Sequence, residues 1–195
     1  MTQKYESLKQ KAQERKEFLD SKPRVRIGTA LCGLAAGAGA VVEAFRRELE
    51  GQGIDATVSE VGCIGLCYAE PLVDIQMTVG PRVFYGEVTP EDVPGLVKSH
   101  IVEDAPVMDK ALAAHGAALS PSVPALDDLE MMKGQVRIAL RNAGHTDPTD
   151  LYEYIGAGGY VGLDKALSGM TPQEVQEEVE ETPASVHPCC QRVAW

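Results

Sequence analysis

Two cysteines three residues apart, Cys63 and Cys67, stand in the run Val61-Gly62-Cys63-Ile64-Gly65-Leu66-Cys67-Tyr68-Ala69-Glu70-Pro71-Leu72-Val73-Asp74-Ile75. Thiolates are soft donors for iron or zinc, and a turn that aims two of them the same way can grip one ion. Gly62 and Gly65 are free to take positive φ, which would turn backbone N–H groups towards sulfur and stabilise its negative charge. The C-x3-C spacing is less specific than C-x2-C, so two half-buried thiols in a tight turn remain the plain alternative. A third thiol, Cys32, lies upstream in Gly28-Thr29-Ala30-Leu31-Cys32-Gly33.

The elements around these residues follow from periodicity and turn chemistry. Residues 1–20 read as a helix, ended by Lys22-Pro23; a strand over 24–27 leads into the Cys32 loop. A helix rich in Ala and Gly follows over about 34–50, closed by Gly51-Gln52-Gly53. A second strand, 54–59, runs into the Cys63 turn. Then 72–77 and 82–88 form a hairpin across Gly80-Pro81. Thr89-Pro90-Glu91-Asp92 opens another helix, with Thr89 as its N-cap. Strand, helix, strand, hairpin, helix is a thioredoxin-like order, and it brings Cys32, Cys63 and Cys67 to one edge of the sheet.

Beyond that unit the pattern weakens. Residues 104–127, rich in Ala, Pro, Ser and Gly, read as a linker. Residues 135–140 read as a short strand or turn. Asp147-Pro148-Thr149-Asp150 starts a helix bearing Leu151, Tyr154 and Ile155, stopped by Gly158-Gly159. Two more helices follow, over 160–167 and from Thr171-Pro172 to about residue 180.

Composition narrows the partners. With 29 Asp+Glu against 18 Lys+Arg the formal net charge is −11, which argues against nucleic acid or an anionic membrane surface. No apolar run reaches the ~20 residues of a membrane span, and the N-terminus is too charged for a secretory signal. An odd number of cysteines in such a chain points to a reducing cytoplasm, where thiols serve as ligands or redox groups.

Two stretches together carry a family resemblance. The first, with GTALCGLAAGA, GCIGLCYAEPLVDI and RVFYGEVTPEDVPGLVKSHIV, resembles the thioredoxin-like [2Fe-2S] ferredoxin domain of the NADH-binding flavoprotein subunit. That subunit occurs in electron-bifurcating hydrogenases, NAD-linked formate dehydrogenases and some relatives of bacterial complex I. The second, QVRIALRNAGHTDPTDLYEYIGAGGYVGLDKALSGMTPQEVQEEVE, resembles the segment that opens the flavin-binding domain of the same subunit. The resemblance implies an α/β chain with five parts: an N-terminal helix (1–22), a thioredoxin-like ferredoxin domain (23–103), a linker (104–127), the start of the NADH/FMN-binding domain (128–180) and an atypical tail (181–195). It implies Cys32, Cys63 and Cys67 as ligands of a [2Fe-2S] cluster relaying electrons, with hydrogenase, NADH dehydrogenase or formate dehydrogenase subunits as partners.

The chain departs from this pattern twice. The family's four ligands run C-x4-C and then C-x3-C, and the first of them falls at Ile27. Three thiolates leave one position unfilled. A cluster-free docking module is therefore the rival reading. At the other end, a glycine-rich flavin loop is expected after the last helix, where Glu181-Thr182-Pro183-Ala184-Ser185-Val186 stands. This suggests a frameshifted tail and a chain without the FMN and NAD sites, which the full-length parent would hold. Of the lesser candidates, Cys189-Cys190 with His187 and zinc on the three thiols with His145 have no supporting spacing. A thiol–disulfide enzyme lacks C-x-x-C at the strand-to-helix turn.

Overall fold

The computed structural model describes residues 2–181. Helix α1 (Gln3–Asp20) precedes β1 (Arg24–Gly28); α2 (Leu31–Ala36), α3 (Ala38–Gln52) and β2 (Thr57–Val61) follow. The hairpin is β3 (Val73–Gln76) and β4 (Arg82–Tyr85), and α4 (Val93–Leu96) continues as a wider helical turn over Val97–Val102. A strand β5 (Ala111–Ala114) and helices α5 (Leu151–Gly156), α6 (Val161–Gly169) and α7 (Pro172–Glu181) complete the described chain.

One sheet runs β2-β1-β3-β4-β5. β1 is parallel to β2, as a helical crossover requires, and β3, β4 and β5 join antiparallel. A parallel strand–helix–strand unit followed by an antiparallel hairpin and a helix is the thioredoxin-like α/β order.

Strand alternation gives the sheet two different faces. On one, Val25, Ile27, Val73, Ile75, Val83 and Tyr85 pack against Val41, Val42, Phe45 and Leu49 of α3 and against Val93, Leu96, Val97 and Ile101. The other face carries Arg24, Arg26, Ser59, Asp74, Arg82 and Phe84, all buried. Its charges are matched in place. Asp74 takes Arg82 Nε at 2.6 Å and Arg26 Nη1 at 2.9 Å, while Arg24 reaches Glu153 of α5 at 2.6 Å. Arg82 also donates to the Gly144 carbonyl and bonds His145 Nδ1 at 2.8 Å. Helix α5 is held to α1 by Ile155 packing on Tyr5 and Ala12, and by Tyr5 Oη donating to the Gly159 carbonyl at 2.7 Å.

Several local expectations are corrected. The single helix expected over 34–50 is two, because Gly37 at φ 102 caps α2 with its N–H before α3 begins. The second strand lies later than 54–59. Thr89 is not the N-cap: its own N–H and hydroxyl donate to Asp92, and the helix starts at Val93. Residues 104–127 are not an extended linker, since β5 pairs with β4 and Ala113, Ala114 and Val123 are fully buried. A strand built of Ala shows no polar–apolar contrast, so periodicity misses it. The short strand or turn expected over 135–140 forms no strand: 135–137 are irregular and a turn begins only at 139, with Val136, Ile138 and Leu140 exposed. The helices expected after 147, 160 and 171 are present. No helix among the described residues is long and apolar enough to cross a membrane. The tail with His187, Cys189 and Cys190 lies outside the described residues.

Candidate metal centre

Two loops leave the same end of neighbouring parallel strands. After β1 the chain turns through Thr29 and Ala30 into α2, and after β2 it runs through Gly62 to a short helical turn at Cys67–Ala69. Thr29 N–H donates to the Val61 carbonyl at 3.0 Å and Gly28 N–H to the Leu72 carbonyl at 2.9 Å, so both loops are fixed to the sheet and to each other. Ile64, Leu66 and Ala69 anchor the second loop in a small apolar cluster with Leu72 and Phe84.

That anchoring leaves the sulfurs outermost. Cys63 Sγ and Cys67 Sγ stand 3.8 Å apart, and the Gly65 N–H points at Cys63 Sγ from 3.2 Å. Gly65 has φ +96, the left-handed conformation expected of it, whereas Gly62 does not adopt positive φ. Cys67 is exposed and Cys63 half-buried, and burial pushes the Cys63 thiol up from its ordinary range. Two sulfurs bound at about 2.3 Å to one tetrahedral metal stand about 3.8 Å apart. The pair has the bite of one metal ion.

Cys32 sits in the first turn of α2 with its side chain exposed. Among the described residues no group of three or more His, Cys, Asp or Glu side chains is placed to hold a metal ion. A mononuclear zinc site on the three thiols is thus not formed, and His145 is engaged with Arg82 instead. A [2Fe-2S] cluster makes a different demand: each iron takes two protein donors, and the bridging sulfides complete its shell. The Cys63–Cys67 spacing matches one such pair of donors. Position 27 supplies no donor for the other. Ile27 is fully buried and packed in the core cluster with Val25, Phe45 and Val73.

One polar side chain here escaped the sequence reading. Glu70 is buried, and Leu72 N–H donates to its Oε2 at 2.8 Å, while Oε1 has no hydrogen-bond partner. Burial raises its pKa, against the pull of the Leu72 N–H and the neighbouring Cys63. A Cβ on Gly28 or Gly33 would come within 3.1 Å of this carboxylate. The available signal was a lone acid inside an apolar run, Ala69-Glu70-Pro71-Leu72.

No family model matches the chain. Over 107 residues it is 31% identical to the NADP-reducing hydrogenase subunit HndB of Solidesulfovibrio fructosivorans, covering 53% of this chain and 85% of that protein. Subunit HndC of the same hydrogenase is 48% identical over 50 residues, 26% of this chain and 10% of HndC. A protein named "Ferredoxin, 2Fe-2S" from Clostridium pasteurianum is 39% identical over 64 residues, 31% of this chain and 59% of the ferredoxin. Among solved structures, the thioredoxin-like [2Fe-2S] ferredoxin from Aquifex aeolicus aligns with a TM-score of 0.41 and 22% identity, over 47% of this chain and 96% of that one.

Proposed function

Because the chain belongs to the family of the NADP-reducing hydrogenase subunit HndB, we propose that it is an electron-transfer module of a hydrogenase-type complex, built around a [2Fe-2S] site at Cys32, Cys63 and Cys67. The observation that carries this is the Cys63–Cys67 pair, held 3.8 Å apart. The kinship with a protein named as a 2Fe-2S ferredoxin supports it. Bound there, such a cluster would accept and release single electrons.

The chain's own residues have three tasks. Ile64, Leu66 and Ala69 bury the root of the loop and fix the directions of Cys63 and Cys67. Gly65 aims its N–H at Cys63 Sγ, where it favours the thiolate. The exposure of Cys67 and Cys32 keeps this end of the sheet open to a partner. The partners in this reading are other subunits of a cytoplasmic hydrogenase-type or related NADH- or formate-linked complex. We take 23–103, extended by β5, as the ferredoxin-like domain and 128–180 as the start of a flavin-binding domain. FMN and NAD belong, in this reading, to the longer parent.

The test is anaerobic reconstitution with iron and sulfide. About two irons and two sulfides per chain, with an EPR signal on reduction, are expected; a colourless, iron-free protein would overturn the cluster. The second reading, a cluster-free docking module, is favoured by Ile27 and by the exposed Leu151, Leu163 and Leu167. An iron-free chain that still copurifies with a hydrogenase partner would establish it.

A further inference from the structure

Helix α1 lies between two clefts walled by cations, in a chain whose formal net charge is −11. One cleft, of about 420 Å³, opens between α1 and α5; the other, of about 320 Å³, opens between α1 and the turn after β3. Both are bordered by Lys16 of α1 and by Arg24 and Arg26 from the charged face of the sheet. We propose that the clefts form a binding site for a small organic phosphate, held by Arg26, Arg24 and Lys16. The site uses neither iron nor cysteine, so its fate is independent of the cluster reading.

The first observation is a shortage of negative charge. Arg24, Arg26 and Arg82 are each less than a tenth exposed, and the acids that meet them are two, Asp74 and Glu153. Arg26 and Arg82 have to share Asp74. Glu70, the other buried acid nearby, borders neither cleft and is taken up by Leu72 N–H. A buried cation without a counter-ion of its own is unfavourable. Burial, with the nearby Arg82 and Arg24, lowers the Arg26 pKa to about 10 against the pull of Asp74. An anion in the cleft supplies the missing charge.

The second is an unmatched donor. Arg26 Nη1 donates to Asp74 at 2.9 Å and Nη2 to Gln76 Oε1 at 3.1 Å, while its Nε is buried without a partner. Most buried donors in folded proteins are met. Arg82 shows the contrast, with Nε, Nη1 and Nη2 all engaged. Lys16 is held only by an exposed pair with Asp20 one helical turn away. Such a pair contributes little, so the ammonium group is free to turn to a ligand.

The third is the shape and lining of the larger cleft. Ala12 and Leu19 of α1 face Tyr152, Ile155 and Gly156 of α5 across it, so one wall is apolar. Its volume is in the range of small-molecule sites. A flat organic body can lie on that wall while the charged end meets the arginines. Three cations around one group favour a dianionic phosphate ester over a carboxylate, and guanidinium groups bind phosphate oxygens through paired N–H bonds. The acids that border the cleft, Glu153 and Asp20, are already engaged by Arg24 and Lys16.

The experiment titrates the full chain, without added iron, with phenyl phosphate, inorganic phosphate and benzoate at constant ionic strength, with chloride as the salt control. Binding is read by calorimetry and by the NMR signals of the arginine Nε–H groups. Phenyl phosphate is expected to bind more tightly than inorganic phosphate or benzoate, and to move the Arg26 Nε–H signal. Lys16→Ala should weaken it about threefold, and Arg26→Met about tenfold or more. Lys11→Ala, on the same helix but bordering neither cleft, should leave it unchanged. Phenyl phosphate that binds no better than chloride overturns the site. So does binding that leaves the Arg26 signal unmoved and is equal in Lys16→Ala and wild type. Benzoate or inorganic phosphate binding as tightly as phenyl phosphate overturns the assignment of an organic phosphate. Should circular dichroism show that Arg26→Met does not fold, the wild-type NMR titration and Lys16→Ala decide.

Discussion

The two faces of the sheet are built on opposite plans. On the α3 side, Val25, Ile27, Val73, Ile75 and Val83 meet Phe45, Val41 and Leu96, and each contact is interchangeable with its neighbours in kind. On the other side, Arg26 and Arg82 share Asp74, and Arg24 pairs with Glu153, all below a tenth exposed. Apolar packing stabilises through area, and the loss of one group is partial. A buried ion cluster is different: whole it is close to neutral, and broken it is strongly destabilising, because a charge is left without its partner. The two faces should thus fail in different ways.

The largest effect is expected at Asp74. Asp74→Ala strands two buried guanidinium groups, and a loss of about 3–5 kcal/mol in urea unfolding follows from breaking such a pair. Replacing Arg26, Asp74 and Arg82 together by Met, Leu and Met should cost far less, near neutrality, since the cluster then vanishes as a unit. A triple variant at least as unstable as Asp74→Ala would show that the ion cluster contributes net stability, and the comparison of the faces would collapse.

Acid titration should find an ionisable pair on the apolar face. His100 is 1% exposed and its Nδ1 is 2.8 Å from Tyr85 Oη, which also accepts the Val107 N–H. Burial lowers its pKa from 6.5 to about 4. The folded state therefore favours the neutral ring. Its contribution is complete above pH 6.5, where both states are neutral, and is lost as pH falls from 6.5 through about 4, where only the unfolded chain first takes up the proton. The loss reaches about 3 kcal/mol. His100→Gln should flatten this part of the stability curve, and an unchanged slope would place the acid sensitivity elsewhere.

Position 27 separates what the sequence makes legible from what it does not. The strand over 24–27, the hairpin over Gly80-Pro81 and the C-x3-C turn are short-range patterns, and all were readable. The partners of the charged face were not: Glu153 lies 129 residues from Arg24, and Gly144 lies 62 from Arg82. No local period records such a pairing. Nor did periodicity find β5, whose Ala residues contrast with nothing, or the burial of Glu70 against Gly28 and Gly33. At Ile27 the family spacing expects a ligand, while the strand pattern expects a core residue. The structure follows the strand. Ile27→Cys should therefore lower stability by about 2 kcal/mol, between the costs of losing one methyl and of truncation to Ala. It should also leave iron retention unchanged. A sharp rise in iron would mean that residue 27 reaches the cluster after all.

The smallest effect is expected where the charged face runs out to solvent. Arg15 of α1 bonds Asp150 at 2.7 Å, and with a side chain 37% exposed it belongs chemically to the surface although its partner caps α5. Asp150 Oδ1 already accepts Tyr152 N–H at 2.9 Å and Glu153 N–H at 3.1 Å, so the cap does not depend on Arg15. Removing the arginine leaves Asp150 hydrated and still capping. Arg15→Ala should therefore change stability by about 0.5 kcal/mol or less, and less again in high salt. Asp150→Ala removes two capping bonds and the ion pair together and should cost about 1 kcal/mol. If Arg15→Ala proved the more damaging of the two, the link between α1 and α5 would depend on charge rather than on Ile155, Tyr5 and Ala12. The division between an apolar face and a charged one would then have to be redrawn at this edge.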